Sequence, residues 1–400
     1  MSDRKIYLSV RSVYRKGNKI YFFDAELNML FTYDMYSGSV EFIETFGEYQ
    51  KNSYAIFGDY IIENEDELYF MPFYSNLIGI YNTRTDEGRV ICIPELEKSY
   101  GTTYFATNKA VVWKNKIWMF SSNPLIGVYV LDMSTYMVWK DIELSKRLEK
   151  YPIVSKIETV SGCCFYAGVS DKDLILMIDI DKKEVEERKI PICNGKIFMF
   201  GENGKHIWFE LRDSADVYEW DIETNRVIRY SIDEDLWNKG DKQPYVKFVF
   251  WDQETYILGF EIEAIMKINR EKRNIEKAFD LPKGFNFFDG KRSIGFNAAF
   301  WATDKVEDKL FFFPNRGNKI LIYDVKTERI TGRELTIDKE KIPNYKELIR
   351  QRLFDISVAD EMDNFFSLYD CLEYEQDKQN SDRKQEENIG RLIWKELDND

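Results

Sequence analysis

An all-β fold assembled from repeats is what this sequence predicts, and three observations carry it. Aromatic residues make up 16% of the chain, chiefly 29 Phe and 25 Tyr, and with Val and Ile these are the side chains that suit a pleated, half-buried surface. A hairpin plan recurs seven times: an apolar strand, a polar turn, and a second apolar strand closed by Asp or Asn. The spacing inside the hairpin is nearly constant while the distance between copies varies, which is how a repeated structural unit differs from chance similarity.

The copies are anchored by Ile20 and Asp34, Leu68 and Asn82, Ile117 and Asp132, Phe165 and Asp179, Ile207 and Asp221, Thr255 and Asn269, and Leu310 and Asp324. The two anchors are 14 residues apart in six copies and 15 in the third, whereas successive copies step by 48, 49, 48, 42, 48 and 55 residues. Three residues after each closing Asp or Asn comes Ser37, Thr85, Thr135, Lys182, Thr224, Lys272 or Thr327. An Asx side chain there accepts a backbone N–H two residues on and starts a tight turn into a returning strand. Such strands are predicted at 39–45, 89–93, 226–230 and 329–335. Another strand precedes each hairpin, at 8–14, 55–62, 105–113, 154–160, 196–200, 246–251 and 295–301.

Four antiparallel strands in about 45 to 50 residues, repeated, form the pattern of a propeller blade, which buries its faces only against its neighbours. The prediction is a seven-bladed β-propeller of four-stranded antiparallel blades over residues 1–338, with a C-terminal helical tail. The first and last blades each own four strands, so the ring is expected to close by face packing rather than by an exchanged strand. Through KIYFF, ELYFM, KIWMF, HIWFE, IYDVKT and EWDIET the chain resembles propellers of the broad Kelch-like or NHL-like kind. The paired glycines of Kelch blades, the Gly-His to Trp-Asp pairing of WD40 blades and the sialidase Asp-box are missing, so the resemblance implies shape and not activity.

Beyond the repeat, residues 339–374 carry helical periodicity, with Leu348, Ile349, Leu353 and Ile356 on one face and Met362, Phe365, Phe366, Tyr369 and Leu372 on another. The polar, charge-rich stretch 375–388 has no apolar residue and reads as a solvated linker. Residues 389–400 set Ile389, Leu392, Ile393 and Leu397 on one side, a helix too short to hold in water unless it docks. The ending IGRLIWKEL is similar to that of propeller proteins of anaerobic bacteria whose genes lie among surface-polysaccharide functions.

Charge and composition narrow the function. A net charge of -14 with no concentrated basic run argues against nucleic acid. No leader-like segment and no membrane-length apolar run is visible, so a cytoplasmic protein without membrane insertion is expected. The five cysteines, Cys92, Cys163, Cys164, Cys193 and Cys371, lack ligand or redox spacing and read as reduced thiols. On a strand, Cys163 and Cys164 would point to opposite faces and not chelate one ion together. His206 is the single histidine and reads as a surface turn residue, so no cofactor, no metal and no catalytic set is expected.

What remains is the funnel where propellers gather their variable loops. Its candidate ligand-binding residues are Arg212, Asp213 and Arg316, the recurring Asn76 and Asn318, and the loop aromatics Tyr104 and Trp237. Asn76 and Asn318 also suit any tight hairpin. The expected function is a non-enzymatic binding or scaffold propeller that presents this face and its tail to a protein or glycan-containing partner. The alternative is a carbohydrate-active enzyme or an accessory of bacterial surface-polysaccharide assembly.

Overall fold

The computed structural model describes residues 5–345 except 25–26, 47–56, 74, 95–106, 122–124, 152, 162, 170–171, 193–196, 212–213, 233–244, 260–263, 287–298 and 316. The chain divides into two compact units, Met1–Pro343 and Asn344–Asp400. The helices and linker expected after residue 345 lie outside the described residues.

Among the described residues, strands form four-stranded antiparallel units at 10–44, 57–92, 107–141, 153–189, 197–232, 245–277 and 300–334, each ordered as the chain runs. Units five and six merge into one eight-stranded sheet, because their outer strands Arg226–Ile232 and Asn274–Lys277 pair in parallel through Ser231 with Asn274 and Ile232 with Ile275. The first strands are Val10–Lys16, Phe57–Asn64, Thr107–Trp113, Ile153–Ser161, Ile197–Asn203, Tyr245–Trp251 and Phe300–Val306. Each packs beside the first strand of the next unit, and the last packs beside Val10–Lys16.

Most strands start within about two residues of their expected positions, but the first strand of unit seven lies five residues later than 295–301. A two-residue turn at Glu307 and Asp308 pairs Val306 with Lys309, so the hairpin register, not the apolar run before it, sets where that strand sits.

The core is distributed between units, as it must be when each sheet has two apolar faces. Phe23 and Leu30 of unit one pack with Phe57, Leu68 and Phe70 of unit two. Phe120 of unit three meets Phe165 of unit four edge-on at 4.8 Å, and Trp208 of unit five meets Phe248 of unit six within another cluster. Each such fully buried ring contributes about 2 to 3 kcal/mol by burial alone.

Units one and seven each keep four strands of their own, as expected, and they meet side by side. Arg15 pairs with Asp304 at 3.0 Å, and the Ser9 hydroxyl donates to Asn315 at 3.1 Å. The sequence did not announce a further clasp, in which Lys5–Tyr7 pairs antiparallel with Thr336–Asp338 outside both units. A helix, Ile142–Leu148, was also unexpected. Asp141 caps it by accepting the Leu144 amide at 2.9 Å, and Leu144, Ser145 and Leu148 are buried.

Candidate functional site

Antiparallel order gives every unit two unlike ends. Turns from first to second strand and from third to fourth lie at one end. Turns from second to third strand, and the connectors between units, lie at the other. The tight-turn end is nearly uniform. The Asx side chains accept amides three residues on, as Asp34 does from Ser37 at 2.7 Å, Asn82 from Thr85 at 3.0 Å and Asp324 from Thr327 at 2.9 Å. One residue further, Gly38, Asp86, Tyr136, Lys183, Asn225, Arg273 and Glu328 all have positive φ. Each turn therefore ends on a left-handed residue that reverses the chain.

The connector end collects the larger share of buried polar side chains, although Asp179, Glu219 and Thr255 are buried towards the tight-turn end. Ser9, Arg11, Asp24, Ser75, Thr107, Ser121, Glu210 and Asn318 are all buried there. Asp24 accepts the Ser9 and Leu27 amides, both at 2.6 Å. Arg11, 4% exposed, lies on the first strand of unit one. Its guanidinium carbon stands 4.2 Å from the Phe73 ring centroid and 4.5 Å from that of Trp301. Cation–π attraction therefore draws units two and seven onto unit one where the first strands begin.

Glu210 is the last residue but one of the second strand of unit five, His206–Leu211, and is 1% exposed. Its Oε2 has no hydrogen-bond partner among the described residues, and burial pushes its carboxyl well above the usual range. Burial thus disfavours its charged form. Nearby, Tyr245 begins the first strand of unit six and donates to the Ala215 carbonyl at 2.9 Å.

The expected ligand residues divide in two. Arg212, Asp213, Arg316, Tyr104 and Trp237 lie outside the described residues. Asn76 and Asn318 occupy the same place in units two and seven and do the same backbone work. The Asn76 carbonyl accepts the Ile93 amide at 2.8 Å and that of Asn318 accepts the Leu335 amide at 3.4 Å, as the Asp173 carbonyl accepts the Ile190 amide at 2.9 Å in unit four. The Asn318 side chain also accepts the Asn286 amide at 2.9 Å and donates to the Gly284 carbonyl at 3.1 Å. It fastens the preceding connector to the hairpin.

Two readings of single residues change. His206 begins a strand, half-buried, with Nδ1 3.1 Å from Glu219. Glu219 is 2% exposed and accepts from the Tyr230 hydroxyl at 2.6 Å and from Arg270 at 2.9 Å. The histidine thus borders a polar tie between units five and six. Cys163 and Cys164 do not face apart, because Cys163 sits in the turn and only Cys164 belongs to the strand Cys164–Val169. Strand alternation does not apply across that junction, and the two Sγ atoms are 4.0 Å apart.

No family model matches the sequence, and no curated protein does. Solved structures do match. Virginiamycin B lyase from Staphylococcus aureus is 12% identical with a TM-score of 0.52, covering 78% of this chain and 96% of that one. PorZ, a surface component of the type-IX secretion system of Porphyromonas gingivalis, is 11% identical at 0.53 over 82% of this chain and 39% of its own. The Cps50 (Swd1) β-propeller domain of Myceliophteria thermophila is 10% identical at 0.50, over 83% and 99%. At such identities the likeness establishes the fold: the chain is an all-β protein of the β-propeller class. Among the described residues no helix is long and apolar enough to cross a membrane.

Proposed function

We propose that this is a binding propeller whose seven units are the blades of one closed ring and whose connector end receives a protein or glycan-containing partner. The observation that carries it is the concentration of buried polar side chains at that end, with Arg11 held between Phe73 and Trp301 at the start of the first strands. Folds pay a desolvation cost to keep such groups inside, and variable loops on a rigid scaffold are where recognition is usually placed. Arg212, Asp213, Arg316, Tyr104 and Trp237, which fall in the sequence between strands whose ends lie there, are proposed to complete the face. Asn76 and Asn318 support it by holding the loops rather than by touching the ligand. A cytoplasmic location is proposed with it, on the lack of redox-motif spacing among the five cysteines of the sequence.

The test is capture of partners from lysate and on a glycan array by the full chain, beside Arg11→Met and a Tyr104→Ala/Trp237→Ala variant. Loss of one bound species in both variants, with unfolding midpoints retained, is the expected result. Capture unchanged in both would remove the connector end from the function and leave Arg11 as a closure residue.

A further inference from the structure

The tight-turn end of unit four departs from the rest of the repeat in a chemically specific way. Where it has Cys164, opposite Asp179 in the strand register, the other units begin their second strand with Lys19, Glu67, Lys116, His206, Glu254 and Lys309. The turn residue before it is Cys163, against Asn18, Asp66, Asn115, Lys205, Gln253 and Asp308. Two thiols thus replace two polar or charged side chains at a position where solvation, not apolar packing, is the rule of the fold.

The replacement brings donors together. The two Sγ atoms are 4.0 Å apart, and both lie with a carboxylate oxygen of Asp179 in a group whose members are all within 4.8 Å of one another. With Zn–S bonds of about 2.3 Å, a tetrahedral ion holds two sulfurs roughly 3.8 Å apart, so the thiol pair is close to that geometry as it stands. Asp179 is 8% exposed. Its Oδ1 is occupied by the Asp181 and Lys182 amides at 3.0 Å. Oδ2 faces the Lys182 ammonium at 3.3 Å, an exposed cation that a divalent ion can displace. Asp181, the next acidic group, is engaged from unit three by Lys114 and by the Trp113 indole at 2.7 Å.

We infer that Cys163, Cys164 and Asp179 form a binding site for a thiophilic divalent cation of the Zn2+ type, with two thiolates and one carboxylate as ligands. A donor set of two sulfurs and one oxygen selects zinc or cadmium over magnesium and calcium, which take oxygen alone. Three protein ligands leave a fourth position to water or to a group from a partner. A bound ion ties the first turn of unit four to its second.

The repeat supplies its own controls. Units two and six close the same turn with Asn82 and Asn269, so Asp179→Asn keeps the turn and removes the anionic ligand. Cys163→Asn with Cys164→Lys reproduces units one and three. The experiment titrates reduced full-length chain, with Cys92, Cys193 and Cys371 changed to Ser, with Cd2+, reading thiolate-to-metal charge-transfer absorbance and competition by a chelator. One Cd2+ per chain with a two-thiolate band is expected. The Cys163→Asn/Cys164→Lys variant loses the band. Asp179→Asn weakens binding by more than about tenfold, the order that even outer partners of metal ligands contribute. Absence of the band in the parent, its persistence in the double variant, or an unchanged affinity in Asp179→Asn would each overturn the assignment, provided the circular dichroism of the variants matches the parent.

Discussion

At the tight-turn end Asp324 takes the Thr327 amide at 2.9 Å in reach of water; at the connector end Asp24 is 1% exposed and takes the Ser9 and Leu27 amides at 2.6 Å. The chemistry is the same, a carboxylate closing a turn, but the surroundings differ. Water can replace Asp324 as a hydrogen-bond partner and cannot replace Asp24. The contrast extends to titration. Asp34, Asp132, Asp179, Asp221 and Asp324 all have carboxyls lowered, each chiefly by a backbone amide of its turn, whereas Glu210 at the other end is raised by burial. One end is built mainly on repeated local turns, with the Glu219 tie between units five and six as an exception, and the other mainly on groups enclosed by neighbouring units.

The largest expected effect breaks the connector end. Asp24→Ala strands two buried amides and is expected to cost about 3 kcal/mol, measured by denaturant unfolding, whereas Asp324→Ala costs much less. Equal losses would show that the two ends do not differ in solvent access.

Glu210 gives the next effect and a pH signature. Its folded pKa is raised, so its contribution is intact below about 4.5, the ordinary glutamate value. Above that the unfolded chain ionises while the folded one stays protonated, and stability is lost as pH rises toward the folded value. The loss is on the order of 1 kcal/mol for each pH unit. Glu210→Gln is therefore expected to be more stable than the parent at pH 7 and equal to it at pH 4. The turn aspartates act with the opposite sign, since lowered carboxyls contribute above their unfolded values and lose that contribution as pH falls. A Glu210→Gln advantage that did not shrink on acidification would mean the carboxyl is not buried neutral.

The smallest effect sharpens the tight-turn end. Glu328 has φ of 53° and is exposed, at the position where unit one uses Gly38. Glu328→Gly relieves a left-handed side chain and is expected to raise stability by up to about 1 kcal/mol. Thermal unfolding would show it as an upward shift, and a downward one would place the side chain in a contact that outweighs its backbone strain.

Much of this was legible before any coordinates. The Asx position and its constant spacing were visible because a turn closed by a side chain two or three residues away is a local event. The left-handed residue after it was not, since Asp86, Tyr136, Lys183, Arg273 and Glu328 are not residues that announce positive φ. Glu210 was legible and missed. The other units carry Phe23, Met71, Phe120, Gly168, Leu258 and Phe313 at its place, and reading across the seven copies exposes it, as it exposes Cys164. Reading along the chain, Glu210 is one acidic residue among many. Asn76 and Asn318 recur, which is the mark of turn chemistry, while Arg11 recurs nowhere and no local pattern singles it out.

The sequence by itself determined the strand plan, the turns and the count of repeats, because those rest on hydrogen bonds and apolar faces within some 15 residues. Tertiary structure alone decided what lies between units. It set Arg11 between Phe73 and Trp301, enclosed Glu210, clasped Lys5–Tyr7 to Thr336–Asp338, and turned Cys163 and Cys164 to the same side. Each depends on residues tens or hundreds of positions apart, or on where a turn ends and a strand begins, and no local pattern encodes which faces will meet when the sheets pack.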